Sequence, residues 1–142
     1  ILVIGDVGLD VYLMGDVKRI SPEAPVPVLD VRSEDARLGL SANVANNVQT
    51  LGGECVLISV VGQDQGAEDL KALLQQNKID TRGIITDSQR PTTRKMRLLA
   101  GQHHIARVDF EKKTPLTDAV KKQVLKNVSE SIASVDCVIL QD

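Results

Sequence analysis

Three prolines fall within six residues, at Pro22, Pro25 and Pro27. Their rings forbid helix, and each removes an N–H that a central strand would donate. The stretch therefore has to be extended, on a sheet edge or outside the main sheet. Arg19 and Glu23 punctuate it, which distinguishes it from a plain linker.

The rest of the chain alternates two patterns. Residues 1–4, 55–61 and 137–140 are short aliphatic runs that read as buried strands, and residues 83–86 as a shorter one. Between them, Val44, Ala45, Val48 and Leu51 recur at helical spacing, as do Ala67, Leu70, Leu73 and Leu74. Val120, Val124, Leu125, Val128 and Ile132 do so again. Gly52-Gly53 stops the first helix, and either Thr114 or Thr117 can cap the third. Residues 92–99 and 104–110 alternate on either side of Ala100-Gly101-Gln102, a hairpin signature. Buried strands alternating with amphipathic helices predict an α/β fold, a parallel sheet with helices on both faces. The segment 11–31 and the hairpin 92–110 do not fit that sheet and are expected to pair with each other as a protruding β layer. Ligands of such sheets bind at the carboxyl ends of strands, where Gly5-Asp6, Gly62-Gln63-Asp64 and Gln141-Asp142 fall.

Composition narrows the function. A net charge of −2 argues against a nucleic-acid partner, and no apolar run approaches the roughly 18 residues of a membrane span. Tyr12 and Phe110 are the only residues among Phe, Trp and Tyr, so the core must be aliphatic. Cys55 and Cys137 lie in aliphatic runs without metal-ligand spacing, which predicts reduced core thiols in a cytosolic protein. The first residue already lies in a strand, so further residues are expected upstream.

Asp10, past the end of the first strand, is a candidate acceptor for sugar hydroxyls, whereas Asp6 is expected to serve a turn or cap. Gly39 and Asn43 precede the first helix, where a bare backbone and an amide suit a polyol. Lys95 and Arg97 share one strand face with Thr93, and Arg107 shares one with Asp109. Together they make a basic face fit for phosphate, with an apolar reverse side of Met96, Leu98 and Val108. His103 and His104 are expected in an exposed turn. There is no Walker A loop, no metal-ligand set and no catalytic residue that spacing alone identifies.

The strings Gly-Asp-Val-Gly-Leu-Asp (5–10), Arg-Ile-Ser-Pro-Glu-Ala-Pro-Val-Pro (19–27), Asn-Val-Ala-Asn-Asn (43–47), Thr-Arg-Lys-Met-Arg (93–97) and Arg-Val-Asp-Phe-Glu (107–111) give the chain a clear resemblance. It resembles the first half of a PfkB/ribokinase-type carbohydrate kinase, and the proline-rich string is most similar to the bacterial D-glycero-D-manno-heptose 7-phosphate kinase group. The resemblance implies one sugar-kinase domain over residues 1–142, with lid segments near 11–31 and 92–110. It implies ATP and Mg2+ as cofactors and a small-molecule sugar phosphate, phosphorylated at its anomeric hydroxyl, as substrate. Further implications are a role in lipopolysaccharide core precursor synthesis, a cytoplasmic location and a homodimer formed through the lid. By the same resemblance Asp10, Gly39 and Asn43 would contact the sugar, and Lys95, Arg97, Arg107 and Asp109 would lie in the lid near its phosphate. Two departures stand out. Leu40 replaces the second of two adjacent glycines, and the family's Gly-Ala-Gly-Asp turn, with its catalytic base, is not among these residues. The segment by itself is thus expected to be inactive. Another sugar or a nucleoside as substrate, or a non-catalytic sugar-binding or dimerisation module, are the competing expectations.

Overall fold

The computed structural model describes residues 1–141; Asp142, named above at a strand end, lies outside the described residues. Eight strands form two sheets. Strands β1 (Leu2–Gly5), β4 (Val56–Val61), β5 (Ile84–Thr86) and β8 (Val138–Gln141) make a parallel sheet in the order β5-β4-β1-β8. Strands β2 (Val7–Ile20), β3 (Pro27–Leu40), β6 (Thr93–Ala100) and β7 (His103–Phe110) make the second, ordered β3-β2-β6-β7. Its outer pairs are antiparallel and its central β2–β6 pair is parallel. The proline-rich insert and the late hairpin do pair with each other, as the sequence pattern requires.

Helices α1 (Ser41–Thr50) and α2 (Gln65–Gln76) cover one face of the parallel sheet. Val3, Leu57 and Val61 meet Ala42, Ala45, Val48, Ala67, Leu70 and Leu74 there in one aliphatic core. The reverse face, with Ile4, Ile58 and Val60, looks toward Leu116 and Val124 at helix α3 (Asp118–Ser131). No residue of α3 is buried, and Leu140 on β8 is 77% exposed. The shared apolar face read for α3 is present in the sequence, but its Leu125 and Ile132 stay in solvent.

Local chemistry explains the boundaries. Asp64 caps α2 by accepting from the Ala67 N–H, and Thr117, rather than Thr114, caps α3 by accepting from Val120. Gly52, at φ 86°, supplies the left-handed turn that ends α1. Pro27 opens β3 on the sheet edge, while Pro22 and Pro25 sit in the bend between two 14-residue strands.

Several expectations change. Asn43 does not precede the first helix but lies in it: β3 runs to Leu40 and α1 starts at the next residue. Cys55 is buried, and burial pushes its thiol pKa upward, but Cys137 is exposed and so is not a core thiol. Both cysteines are free. His103 and His104 belong to exposed β7, not to the turn, because the hairpin closes tightly at Gly101, φ 60°.

Candidate functional site

The lid leaves the parallel sheet where β1 ends, with a single residue, Asp6, between β1 and β2. Backbone polar groups at that crossing are saturated from three directions. The Ser41 hydroxyl donates to the carbonyls of Asp6 (2.7 Å) and Gly5 (3.1 Å), the Ser59 hydroxyl donates to Gly5 (2.6 Å), and the Ser41 N–H donates to Asp6 (2.9 Å). The Asp6 carboxylate itself accepts no hydrogen bond among the described residues, so the turn-or-cap role expected of it falls to its carbonyl. A second clamp holds the lid's other entry. Asp64 accepts from the Thr92 N–H (2.8 Å), and the Thr92 hydroxyl accepts from the Gly62 N–H (3.0 Å). Burial raises the Asp64 pKa, but the Thr92 hydrogen bonds, the Ala67 N–H and the Arg94 charge outweigh it and hold the carboxyl below its ordinary value.

Leu40 stands at the third crossing with φ 55° and ψ −134°, a backbone region that favours glycine. Substitution separates strain from packing here. Leu40→Gly is expected to be more stable than Leu40→Ala by about 1–3 kcal/mol, the reverse of the usual order, when the two are unfolded in urea. Equal stabilities would mean that the backbone carries no strain at Leu40.

Alternation along the lid strands places Asp10 and Tyr12 of β2, Arg37 and Gly39 of β3, Lys95 and Arg97 of β6, and Arg107 and Asp109 of β7 on one face. Arg97 donates to Asp10 Oδ1 at 2.5 Å, and that hydrogen bond, against some desolvation, raises the arginine's pKa. Asp10 Oδ2 lies over Gly39, where a Cβ would come within 2.9 Å of it. Gly39 thus leaves space for the carboxylate. The guanidinium carbons of Arg37 and Arg97 lie 4.9 and 5.2 Å from the Tyr12 ring centre, cation–π distances. Arg107 gives Nε and Nη2 to the two oxygens of Asp109. Lys95 sits in register with Asp10 and Asp109 but forms no ion pair among the described residues.

A cavity of about 430 Å3 opens beside this face, lined by Asp10, Tyr12, Ala36, Arg37, Leu38, Asn43, Asn46, Leu73 and Asn77. Asp10 and Asn43 from the expected set line it together. Gly39 lies at its border beneath Asp10, Arg97 reaches it through Asp10, and Lys95, Arg107 and Asp109 do not line it. Tyr12, Arg37, Asn46 and Asn77 were not singled out from sequence. Strand alternation from Gly39 back to Arg37 would have found the arginine, but residues 32–37 are so polar that they resemble a loop. Among the described residues no group of three or more His, Cys, Asp or Glu is arranged to hold a metal ion. No helix among the described residues is long and apolar enough to cross a membrane.

A parallel sheet whose carboxyl edge feeds directly into a separate four-stranded lid defines the ribokinase-like class. Solved structures share it: a putative ribokinase from Agrobacterium tumefaciens superposes with a TM-score of 0.66 at 21% identity, over 98% of this chain and 43% of that one. The Arabidopsis thaliana ribokinase complexed with ribose and ATP also gives 0.66, at 15% identity over 98% and 44%. These likenesses establish the fold. The pfkB family carbohydrate kinase profile matches residues 1–141, and the chain belongs to that family. Among curated proteins it is 47% identical over 142 residues to the bifunctional protein HldE of Helicobacter pylori strain G27, and 42% identical to that of Aliarcobacter butzleri strain RM4018. It is matched over its whole length but spans only 31% and 30% of those relatives.

Proposed function

We propose that this chain is the sugar-binding part and lid of an ATP-dependent kinase that phosphorylates a heptose 7-phosphate at its anomeric hydroxyl, for lipopolysaccharide core precursors. The observation that carries the reading is the Asp10 carboxylate, fixed between Arg97 and Gly39 at the wall of a cavity that also holds the Asn43 amide. A fixed carboxylate accepts two hydrogen bonds from neighbouring hydroxyls, and amides can donate and accept, which suits a polyol. Membership of the pfkB family supports phosphoryl transfer from ATP, and likeness to the HldE proteins together with the proline-rich lid string supports a heptose. The residues described here orient the sugar; no group of three or more His, Cys, Asp or Glu among them is arranged to hold a metal ion, so Mg2+ is assigned no ligand among them. Positioning of this kind is the main means by which such transfers are accelerated.

Homodimerisation through the lid and a cytoplasmic location belong to the same proposal. Support for the dimer is the exposed apolar set Ile105, Val108 and Phe110 on the outermost lid strand. The expected reverse side of the lid is only partly covered: Met96 packs on the core while Val108 is exposed.

The test is ADP release by the native-length protein, offered ATP-Mg with heptose 7-phosphate, ribose, fructose 6-phosphate or adenosine. Turnover of heptose 7-phosphate alone is expected. Leu40 supports a second reading, another sugar, because its side chain stands at the family's second glycine with a strained backbone. Preferential turnover of ribose or fructose 6-phosphate would favour that reading. Sugar binding without turnover would favour a non-catalytic module.

A further inference from the structure

We infer that Arg37, not the basic residues of β6 and β7, recognises the anionic group of the bound sugar phosphate; the inference rests on the sugar-site reading above. Among the described residues, Asp10 and Arg37 are the only charged ones lining the cavity, and they are register partners across β2 and β3. Arg37 is held in place from two sides. Its Nε donates to Asp35 Oδ2 at 2.7 Å, and its guanidinium lies against the Tyr12 ring. Among the described residues, Nη1 and Nη2 have no protein partner. A guanidinium anchored through Nε with both terminal nitrogens open is preorganised to bind two phosphate oxygens.

The other cations of this face are differently committed. Arg97 Nη1 donates to Asp10 and to the Lys95 carbonyl. Arg107 is neutralised by both oxygens of Asp109. Lys95 has no ion-pair partner among the described residues but does not line the cavity. Among the described residues the Asn46 side chain has no hydrogen-bond partner, and Asn77 uses only Nδ2, donating to the Leu73 carbonyl. Two amides thus remain beside Arg37 to complete the shell around an anion or the hydroxyls next to it. Arg37 reads the phosphate, Asp10 reads the hydroxyls, and Asp35 and Tyr12 are positioning residues for Arg37.

The experiment is calorimetric titration of the native-length protein with heptose 7-phosphate and with unphosphorylated heptose, for the wild type, Arg37→Gln, Arg37→Lys and Lys95→Gln. Arg37 has a 65% exposed side chain, so its variants should keep the wild-type melting temperature. Arg37→Gln is expected to weaken heptose 7-phosphate about 10–100-fold, with Arg37→Lys intermediate and the unphosphorylated sugar unaffected. Lys95→Gln should bind both ligands like the wild type. Retained heptose 7-phosphate affinity in a folded Arg37→Gln protein, with loss in Lys95→Gln, would place the anion at β6 and overturn this assignment alone. Failure of the wild type to bind either sugar would overturn it together with the sugar-site reading.

Discussion

Replacing Asp10 with alanine in the native-length protein is expected to lower kcat/KM for the sugar about 100- to 10,000-fold, the loss of two charge-assisted hydrogen bonds from ligand hydroxyls. Stability should barely change. Asp10 and Arg97 side chains are 27% and 21% exposed, so water can reach the arginine once its partner is gone. Asp10→Asn separates the two roles of the carboxylate. It keeps an oxygen for Arg97 but loses the negative charge, so its defect should be smaller, about 10- to 100-fold. Steady-state kinetics beside thermal melts check this. An Asp10→Ala enzyme with near-normal kcat/KM would show that the sugar sits elsewhere and that the Asp10–Arg97 pair merely braces the lid.

Asp64→Ala should produce the largest stability loss among the polar substitutions considered, about 2 kcal/mol. It removes the N-cap of α2 and the acceptor of the Thr92 N–H in one step. Thr92 is 1% exposed, so its amide has no access to water as a replacement. The effect should depend on pH in one direction. The folded state holds the Asp64 pKa below its ordinary 3.8. The carboxylate therefore contributes its full stabilisation above that value and loses it as pH falls through the lower, folded one. Urea unfolding at neutral pH should show the full gap between wild type and Asp64→Ala, and the gap should close in acid. A gap that stays constant to low pH would show that the ionised carboxylate is not what holds Thr92. Because Thr92 is where the lid's second hairpin departs, amide exchange along β6 should also quicken in the variant.

Both sheets were legible as patterns before either was seen as structure. The aliphatic runs and helical periods of the parallel layer follow directly from burial, and the prolines exclude their own segment from it. What escaped was length and continuity. The polar stretch from Arg32 to Arg37 forms a strand because it pairs with β2 along its whole length, a tertiary effect that propensity does not carry. The sequence pattern assigns no element to that stretch, which hid Arg37 and, through it, the shape of the cavity. Asn46 and Asn77 escaped for a different reason: they line one cavity although one lies in α1 and the other caps the C-terminal end of α2, and nothing local marks an amide as facing a cleft. Asp10 and Asn43 were found because each lies close to a chain transition that is visible in one dimension.

The central place of β2 has a consequence for how the chain acquires its shape. Asp10 and Arg97, on adjacent strands, are 87 residues apart in sequence. The β2–β3 hairpin can close within about 1–10 μs of its synthesis. The second edge of β2 must wait for β6, and at roughly 5–20 residues per second a ribosome needs several seconds to deliver it. Throughout that interval a nascent hairpin carrying Leu9, Val11 and Leu13 has an open hydrogen-bonding edge, a template for pairing with a neighbouring polysome product. Lys18 and Arg19 near its far end, and the prolines in its bend, are poor partners for such pairing, so the segment that shapes the lid also guards the chain while it is being made.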